Sequence, residues 1–449
     1  MPESAKNKKT NPFVSLGTTG LKQSSGYIDE EWHPKLRGTF GPKVYREMAD
    51  NSSTIGAIRH VIKALVRQVE WRVEAASAER EAQEVAEFVE SCLADMSMSF
   101  EDFISEALSF LEYGWSYFEL VYKLRKGQTK DARTRSKFDD GKIGWRKIAL
   151  RAQDTLDRWE FDKEDGGLRG MHQTNTYTGK SAYIPIERAL LFRTETYKNN
   201  PQGRSIFRNA VVDYFYLKRI SEIEAIGIER DMTGLITMEV PIRILKQETA
   251  SDQALFNSIT SMLGQLKRDE REYALVPPEL DTEGKPTGFK LKLLSTGGRR
   301  QIDTNGVKLY YKTGILQSVV AQFIQLGMGN VGSFALASSQ TDLFAVALGA
   351  YMDVIASTFT KYGINRLMQM NKIPVEHWPC LIHGDIESPP LSEIGAYIQA
   401  LAGAGQLPED DAIKRKLLEI GRLPQPAQEE GKVEKSNVIP GPPLRGKAG

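Results

Sequence analysis

Cysteine is nearly absent: Cys92 and Cys380 are the only two in 449 residues. That excludes a disulfide framework and fits a reducing compartment. Net charge is equally scarce, because 59 Lys and Arg against 58 Asp and Glu leave a formal +1. Tight gripping of nucleic acid through bulk charge needs a clear basic excess, so any such contact here is local or weak. Lys6, Lys8 and Lys9 are followed by no apolar run, so no secretory signal is expected. There is also no Ser/His/Asp set, no phosphate loop ending in Gly-Lys-Ser/Thr and no H-E-x-x-H pattern. Hydrolytic and nucleotide-cleaving chemistry therefore has no foothold in the motifs.

One long segment lacks charge altogether. From Thr313 to Thr341 there is no Asp, Glu, Lys or Arg, a length that reaches across a bilayer. Gln317, Gln322, Gln325, Asn330 and a cluster of glycines interrupt it, and no aromatic belts flank it. We expect a buried or ring-lining segment and no membrane.

What is present is ordinary for a globular chain of two or three lobes: 41% hydrophobic and 26% charged residues. Residues 1–40 are rich in Lys, Gly, Ser and Thr and read as a flexible arm. Helical spacing begins near Pro42, with Ile55, Ile58, Ile62, Leu65, Val66 and Val69 on one face after possible caps at Ser52 to Thr54. Two further helices are predicted at about 78–95 and 99–113. Trp115 to Leu124 reads as a strand, as does the alternation in Arg158-Trp159-Glu160-Phe161, and glycines punctuate the region to Phe192 at hairpin intervals.

Asn199-Asn200-Pro201-Gln202-Gly203 breaks the chain before a long helix to about Asp231. Its apolar positions include Phe207, Val211, Phe215, Ile220, Ile223 and Ile226, and Lys218 sits one turn from a possible partner, Glu222. At 1.5 Å per residue it spans about 42 Å. A compact insert follows, with strands near 235–240, 272–276 and 288–294 and a helix near 251–268. A second long helix covers about 303–326, with Val307, Tyr311, Ile315, Val319 and Phe323. Ser339 to Asp342 fits a capping box for a third, running to about Met370. A helical lobe near 390–422 and a proline-rich tail, expected to be disordered, complete the chain.

Four local patterns compete for a function. Gly327-Met328-Gly329-Asn330-Val331-Gly332 is a literal G-x-G-x-x-G, which would make the chain a nucleotide-dependent enzyme. The segment before it continues a helical pattern, however, and no second strand ends in an acidic residue at the right distance; Asp353 falls mid-helix. His377, Cys380, His383 and Asp385 have the chemistry of a zinc site, but Pro374 and Pro379 imply extended chain that splits them between faces, so no metal is expected. Glu222, Glu224, Glu229 and Asp231 fit a solvated or lumen-facing helix surface better than a carboxylate pair. Lys123, Arg125, Lys126, Lys130, Arg133, Arg135 and Lys137 read as the solvated tip of a hairpin, with a non-ring DNA-binding protein as the alternative.

Several long phrases in a fixed order then carry a family resemblance. They are Gly114-Trp115-Ser116-Tyr117-Phe118-Glu119, Asn199 to Ser205, Glu222 to Asp231, Leu294-Ser295-Thr296-Gly297-Gly298 and Gly332-Ser333-Phe334-Ala335-Leu336. Over about residues 40–423 the chain resembles bacteriophage portal proteins of the Mu-like branch. The resemblance implies an α+β subunit with a mixed α/β wing (41–198), two long stem helices (199–232 and 299–326) and a small α/β clip (233–298). It further implies a tunnel loop (327–340), a long spine helix with a return to the wing (341–380), a helical crown (381–423) and a tail (424–449).

The implied function is structural and not enzymatic, with no cofactor. It is a homo-oligomeric ring, of twelve subunits in the family, at the portal vertex of the virion capsid, assembled in the host cytoplasm. Double-stranded DNA would pass through its channel in packaging and ejection. The terminase large subunit, whose ATPase is a separate polypeptide, the major capsid and scaffolding proteins and a head–tail connector would dock on it. Gly327, Met328, Gly329, Asn330, Val331, Gly332 and Ser333 would form the tunnel loop. An uncharged loop fits that task, since every lysine would be multiplied around the ring and brake the DNA. Lys267, Arg268, Asp269, Glu270 and Arg271, mixed in sign, would form the clip interface.

Overall fold

The computed structural model describes residues 17–131, 133–163, 165–233, 235–267, 288–294, 303–321, 334–386 and residue 399. The chain divides into two compact units, Met1–Ile386 and Glu387–Gly449.

A small hairpin, β1 (Gln23–Ser24) with β2 (Tyr27–Ile28), leads into α1 (Phe40–Asn51) and α2 (Ser53–Gln68). Ser52 caps α2 by accepting from Ile55 N at 3.3 Å, as Ser at an N-cap does. The expected inward face is the observed one: Ile55, Ile58, Ile62 and Val66 are buried. Strand β3 (Trp71–Glu74) precedes α3 (Arg80–Ala94), α4 (Phe100–Ala107) and α5 (Ser109–Tyr113). Gly114, at φ +90°, turns the chain into β4.

Strand β4 (Trp115–Leu124) is the centre of a three-stranded antiparallel sheet, between β5 (Ile143–Arg151) and β9 (Ala189–Arg193). Phe118 and Leu120 face the main core on one side, while Trp115 and Tyr117 pack with Trp159 on the other. The period-2 pattern is filled on both faces, so this strand is apolar almost throughout. A second antiparallel sheet, β6 (Leu156–Phe161), β7 (Leu168–Thr174) and β8 (Ser181–Pro185), closes over Trp159 and Met171.

Helix α6 (Val211–Thr233) leaves this body. It is followed by β10 (Leu235–Glu239), α7 (Ile242–Lys246), α8 (Ala250–Lys267) and β11 (Lys290–Leu294). Strand β11 returns antiparallel to β10, pairing Glu239 with Lys290 and Leu235 with Leu294. Helix α9 (Thr304–Ser318) comes back beside α6. Helix α10 (Phe334–Phe359) continues through one π turn, Thr360–Ile364, into α11 (Asn365–Met370), and β12 (Cys380–His383) pairs with β3.

Helix α10 starts earlier than the expected capping box, so residues 339–342 lie inside the helix and not at its start. The stretch Asp342–Met370 is long and apolar enough to cross a membrane by length and composition. Here it is the central helix, burying Phe344, Leu348, Met352, Ile355, Phe359, Ile364, Leu367 and Met368 against α2, α4 and the first sheet. Residues 17–36, expected within a loose arm, are fastened to the body: Trp159 N donates to Gly26 O at 3.0 Å.

Candidate functional site

Helices α6 and α9 form an antiparallel hairpin. Tyr216 stacks on Tyr311 with ring centroids 5.7 Å apart. Further out, Glu224 accepts from Thr304 Oγ1 and from Lys308 Nζ. Nearer the body, Gly314 lets α9 approach closely, since a Cβ there would lie 2.4 Å from the Asp213 carboxylate. That burial raises the Asp213 pKa. With 23 residues, α6 extends about 34 Å.

The root of the hairpin is a built joint. Phe207, Val211 and Tyr214 of the first arm and Ile315 and Leu316 of the second join the main core. The turn before α6 is stitched to the start of β4. Thr194 N donates to Gly114 O at 3.1 Å, and Ile206 N donates to Leu111 O at 3.0 Å. Gly203, at φ +53°, crosses Gly114 so closely that a Cβ would sit 2.2 Å from Gly114 O. The two glycines sit in two of the phrases that carried the family resemblance, 89 positions apart in sequence yet touching in space.

Ion pairs tie the N-terminal segment and α1 to the same joint. Arg208 grips Glu31 through Nε and Nη2, both at 2.7 Å. Burial pushes the Glu31 pKa up, but hydrogen bonds from Arg208 and His33 N overcome it and hold it below 4.5. Lys198 pairs with Glu30 at 3.2 Å. Lys218 pairs with Glu47 of α1 at 2.7 Å, while Glu222, its expected partner, pairs with Arg219 at 3.5 Å. The tertiary partner wins because it is presented by a fixed helix beside Tyr214. None of these long-range pairs has a local sequence signal.

Along its length the hairpin leaves several apolar residues uncovered. Val212, Ile223 and Ile226 are 50%, 54% and 46% exposed, and Leu309 and Tyr310 of α9 are 57% and 73% exposed. Val212, Ile223 and Ile226 share a stripe about a quarter-turn around α6 from the residues that meet α9. The face pointing away from α9 carries Lys218 and Glu222. The apolar stripe is thus a flank, not an outer surface. Helix α10 repeats the pattern on one side, where Leu343 and Val346 are 59% and 72% exposed.

The predicted tunnel-loop residues Gly327, Met328, Gly329, Asn330, Val331, Gly332 and Ser333 lie outside the described residues, as do Arg268, Asp269, Glu270 and Arg271. Lys267 ends α8. The rival patterns fare differently. Helix α9 ends at Ser318, short of the expected 326, and Val319 and Val320 form a turn, so this stretch is neither a strand nor a continuing helix; residues 322–326 lie outside the described residues. Among the described residues no three metal-ligating side chains converge; His383 instead bonds Asp353 at 3.1 Å, joining β12 to α10. The basic run is only partly a solvated tip. Lys123 and Arg125 turn inward, Lys123 to Asp95 at 2.9 Å and Arg125 to Asp140 at 3.1 Å. Arg125 also lies over the Phe138 ring and donates to Ser91 and Cys92. Burial pushes the Cys92 thiol up to about 11, against the Arg125 charge.

Comparison with known proteins bears on this architecture. The family described as "Portal protein of Mu bacteriophage" matches residues 42–418. No curated protein matches. Among solved structures, a chain from "Neck of empty GTA particle computed with C6 symmetry" aligns with TM-score 0.53 and 12% identity, over 90% of this chain and 97% of that one. A chain from "Virion of native gene transfer agent (GTA) particle" gives 0.51 and 12%, over 89% and 97%. These two share the fold at low identity. An HK97-family phage portal protein from Corynebacterium diphtheriae aligns at TM-score 0.37 and 10% identity, over 78% and 96%, too low a score to add weight. The family match spans most of the chain, and on that ground this protein belongs to the Mu bacteriophage portal protein family.

Proposed function

We propose that the chain is a subunit of a closed ring, twelve-fold as in the family, whose α6/α9 hairpins stand side by side as the stem of a DNA channel. The observation that carries this reading is the apolar flank of the hairpin. An apolar stripe in water beside a polar outer face costs stability unless a neighbour covers it. In a ring each hairpin covers the next, while the face opposite α9 keeps Lys218 on Glu47 of α1 and leaves Glu222 in solvent. The rigid joint at Gly114 and Gly203 would fix the angle at which each hairpin leaves its body.

In this reading the ring sits at the portal vertex of the particle, after assembly in the host cytoplasm, and is structural, with no catalytic part. Double-stranded DNA passes through it during packaging and ejection. The β10–β11 insert would be the clip, docking the terminase large subunit and later the head–tail connector, with residues 267–271 at that contact. The body would meet the major capsid and scaffolding proteins. The uncharged loop 327–333 would be the constriction, its lack of Lys and Arg keeping friction on phosphate low. Negative-stain electron microscopy of the purified chain tests the proposal. Rings with a central hole are expected; a compact monomer that binds a nicotinamide dinucleotide would overturn it.

A further inference from the structure

The loop between β4 and β5, residues 125–142, folds over a cavity of about 410 Å³ whose lining includes Lys123, Arg133, Arg135, Lys137 and Arg146. Its one carboxylate, Asp95, is spent: it pairs with Lys123 and accepts from Ser136 Oγ at 2.6 Å and Lys137 N at 2.8 Å. Arg133 is neutralised by Asp131. Arg135 and Lys137 donate only to backbone carbonyls, those of Thr129 and Ala94. Arg146 has no side-chain hydrogen bond or ion pair among the described residues. Three cations thus line a concavity whose nearby carboxylates are already paired with other cations: Asp95 with Lys123, and Asp131, which also feels the Arg146 charge, with Arg133; the chain as a whole is only +1. An excess so localised is a site for negative charge.

We infer that this cavity docks an acidic peptide segment of a partner protein, one presenting closely spaced Asp or Glu side chains. The placement favours peptide over nucleic acid, a step that rests on the ring reading above. Strand β4 starts at the hairpin root and runs ten residues to this loop, so the cavity lies about 30 Å from the stem and out of reach of DNA threaded along it. Single-stranded nucleic acid would also want an open aromatic platform for its bases. The nearby Phe138 is instead covered by the Arg125 guanidinium, 4.1 Å from its centroid. The two guanidinium groups, of Arg135 and Arg146, suit carboxylates, which they engage through paired N–H donors, and the Lys137 ammonium adds a third positive charge.

The test uses the purified full chain and three fluorescent probes: a short alternating Glu-Gly peptide, a single-stranded oligonucleotide and a short duplex. The peptide should bind most tightly, with affinity falling as salt rises. The triple variant Arg135→Ala/Lys137→Ala/Arg146→Ala should weaken it at least about tenfold. Should that variant fail to fold, the single Arg146→Glu change, at a side chain with no hydrogen bond or ion pair among the described residues, should weaken peptide binding in the same direction. Unchanged peptide affinity in a folded variant, no peptide binding by the parent, or tighter duplex binding abolished by the same changes would each overturn the inference. Microscopy of both proteins keeps the readings apart: rings in parent and variant leave the portal reading standing whatever the peptide does.

Discussion

Replacing Ile223 and Ile226 together by Asp isolates the contact on which a ring depends. Full burial of an Ile is worth about 1.5–3 kcal/mol, and each of these is about half exposed. Covering them therefore contributes roughly 1 kcal/mol apiece, about 2 kcal/mol per subunit interface. The aspartates lose that gain and add the cost of desolvating two carboxylates, several kcal/mol more. A closed ring suffers the loss at every interface. The isolated chain does not: exposed positions change stability by about 0.5 kcal/mol each, with a similar small helix-propensity cost. Size-exclusion chromatography with light scattering should show a shift from ring to monomer, while the melting temperature of the monomer stays within a few degrees. Rings assembling as readily as the parent's would refute the assignment of this flank to the subunit contact.

Three further outcomes follow from named contacts and a fourth from the uncharged loop. Gly203→Ala places a Cβ against Gly114 O at positive φ and should cost at least about 2 kcal/mol, read as a lower denaturant midpoint; an unchanged midpoint would mean that the joint adjusts freely. Asp95→Asn leaves Lys123 buried without its partner and should cost about 3–5 kcal/mol. Burial works against the Asp95 charge, but Ser136, Lys137 N and Lys123 hold its pKa below 3.8; the stabilisation is present above 3.8, is lost as pH falls through the folded value, and should be missing from the variant's acid-unfolding curve. Burial raises the Glu112 pKa above 4.5, outweighing the Tyr113 hydrogen bond and the Arg59 charge. Its contribution is therefore fully present below pH 4.5 and lost as pH rises through the folded pKa, so Glu112→Gln should flatten that decline in melting temperature; an identical profile would contradict it. Asn330→Lys puts one cation per subunit into the uncharged loop and should slow DNA translocation in a packaging assay; an unaltered rate would end the friction argument.

Much of the fold was legible because its signals are local. The helical spacing of Ile55, Ile58, Ile62 and Val66 and the aromatic run Trp115 to Leu124 need no distant partner to be read. The hairpin was legible as two helices but not as a surface. Ile223 and Ile226 look like core residues in sequence, and periodicity cannot say whether the core belongs to one chain or to an assembly. The basic run misleads for the opposite reason: Lys123 and Arg125 alternate inward along a strand, where Asp95 and Asp140 meet them only after folding. The N-terminal segment looked loose because its anchors, Glu30 and Glu31, bind Lys198 and Arg208 some 170 positions away. Helix α10 begins at Phe334 although Ser339 and Asp342 suit a cap, since capping chemistry does not forbid helix on its own N-terminal side.

In the proposed ring the α6/α9 hairpins stand flank to flank around a hole. Cryo-electron microscopy of the purified full chain, at a resolution that separates helices, measures it directly. A closed ring is expected in which α6 and α9 border the central opening and Val212, Ile223 and Ile226 are covered by the adjacent subunit. A ring with these hairpins on its outer rim, or a monomer with the same stripe still in solvent, would contradict it.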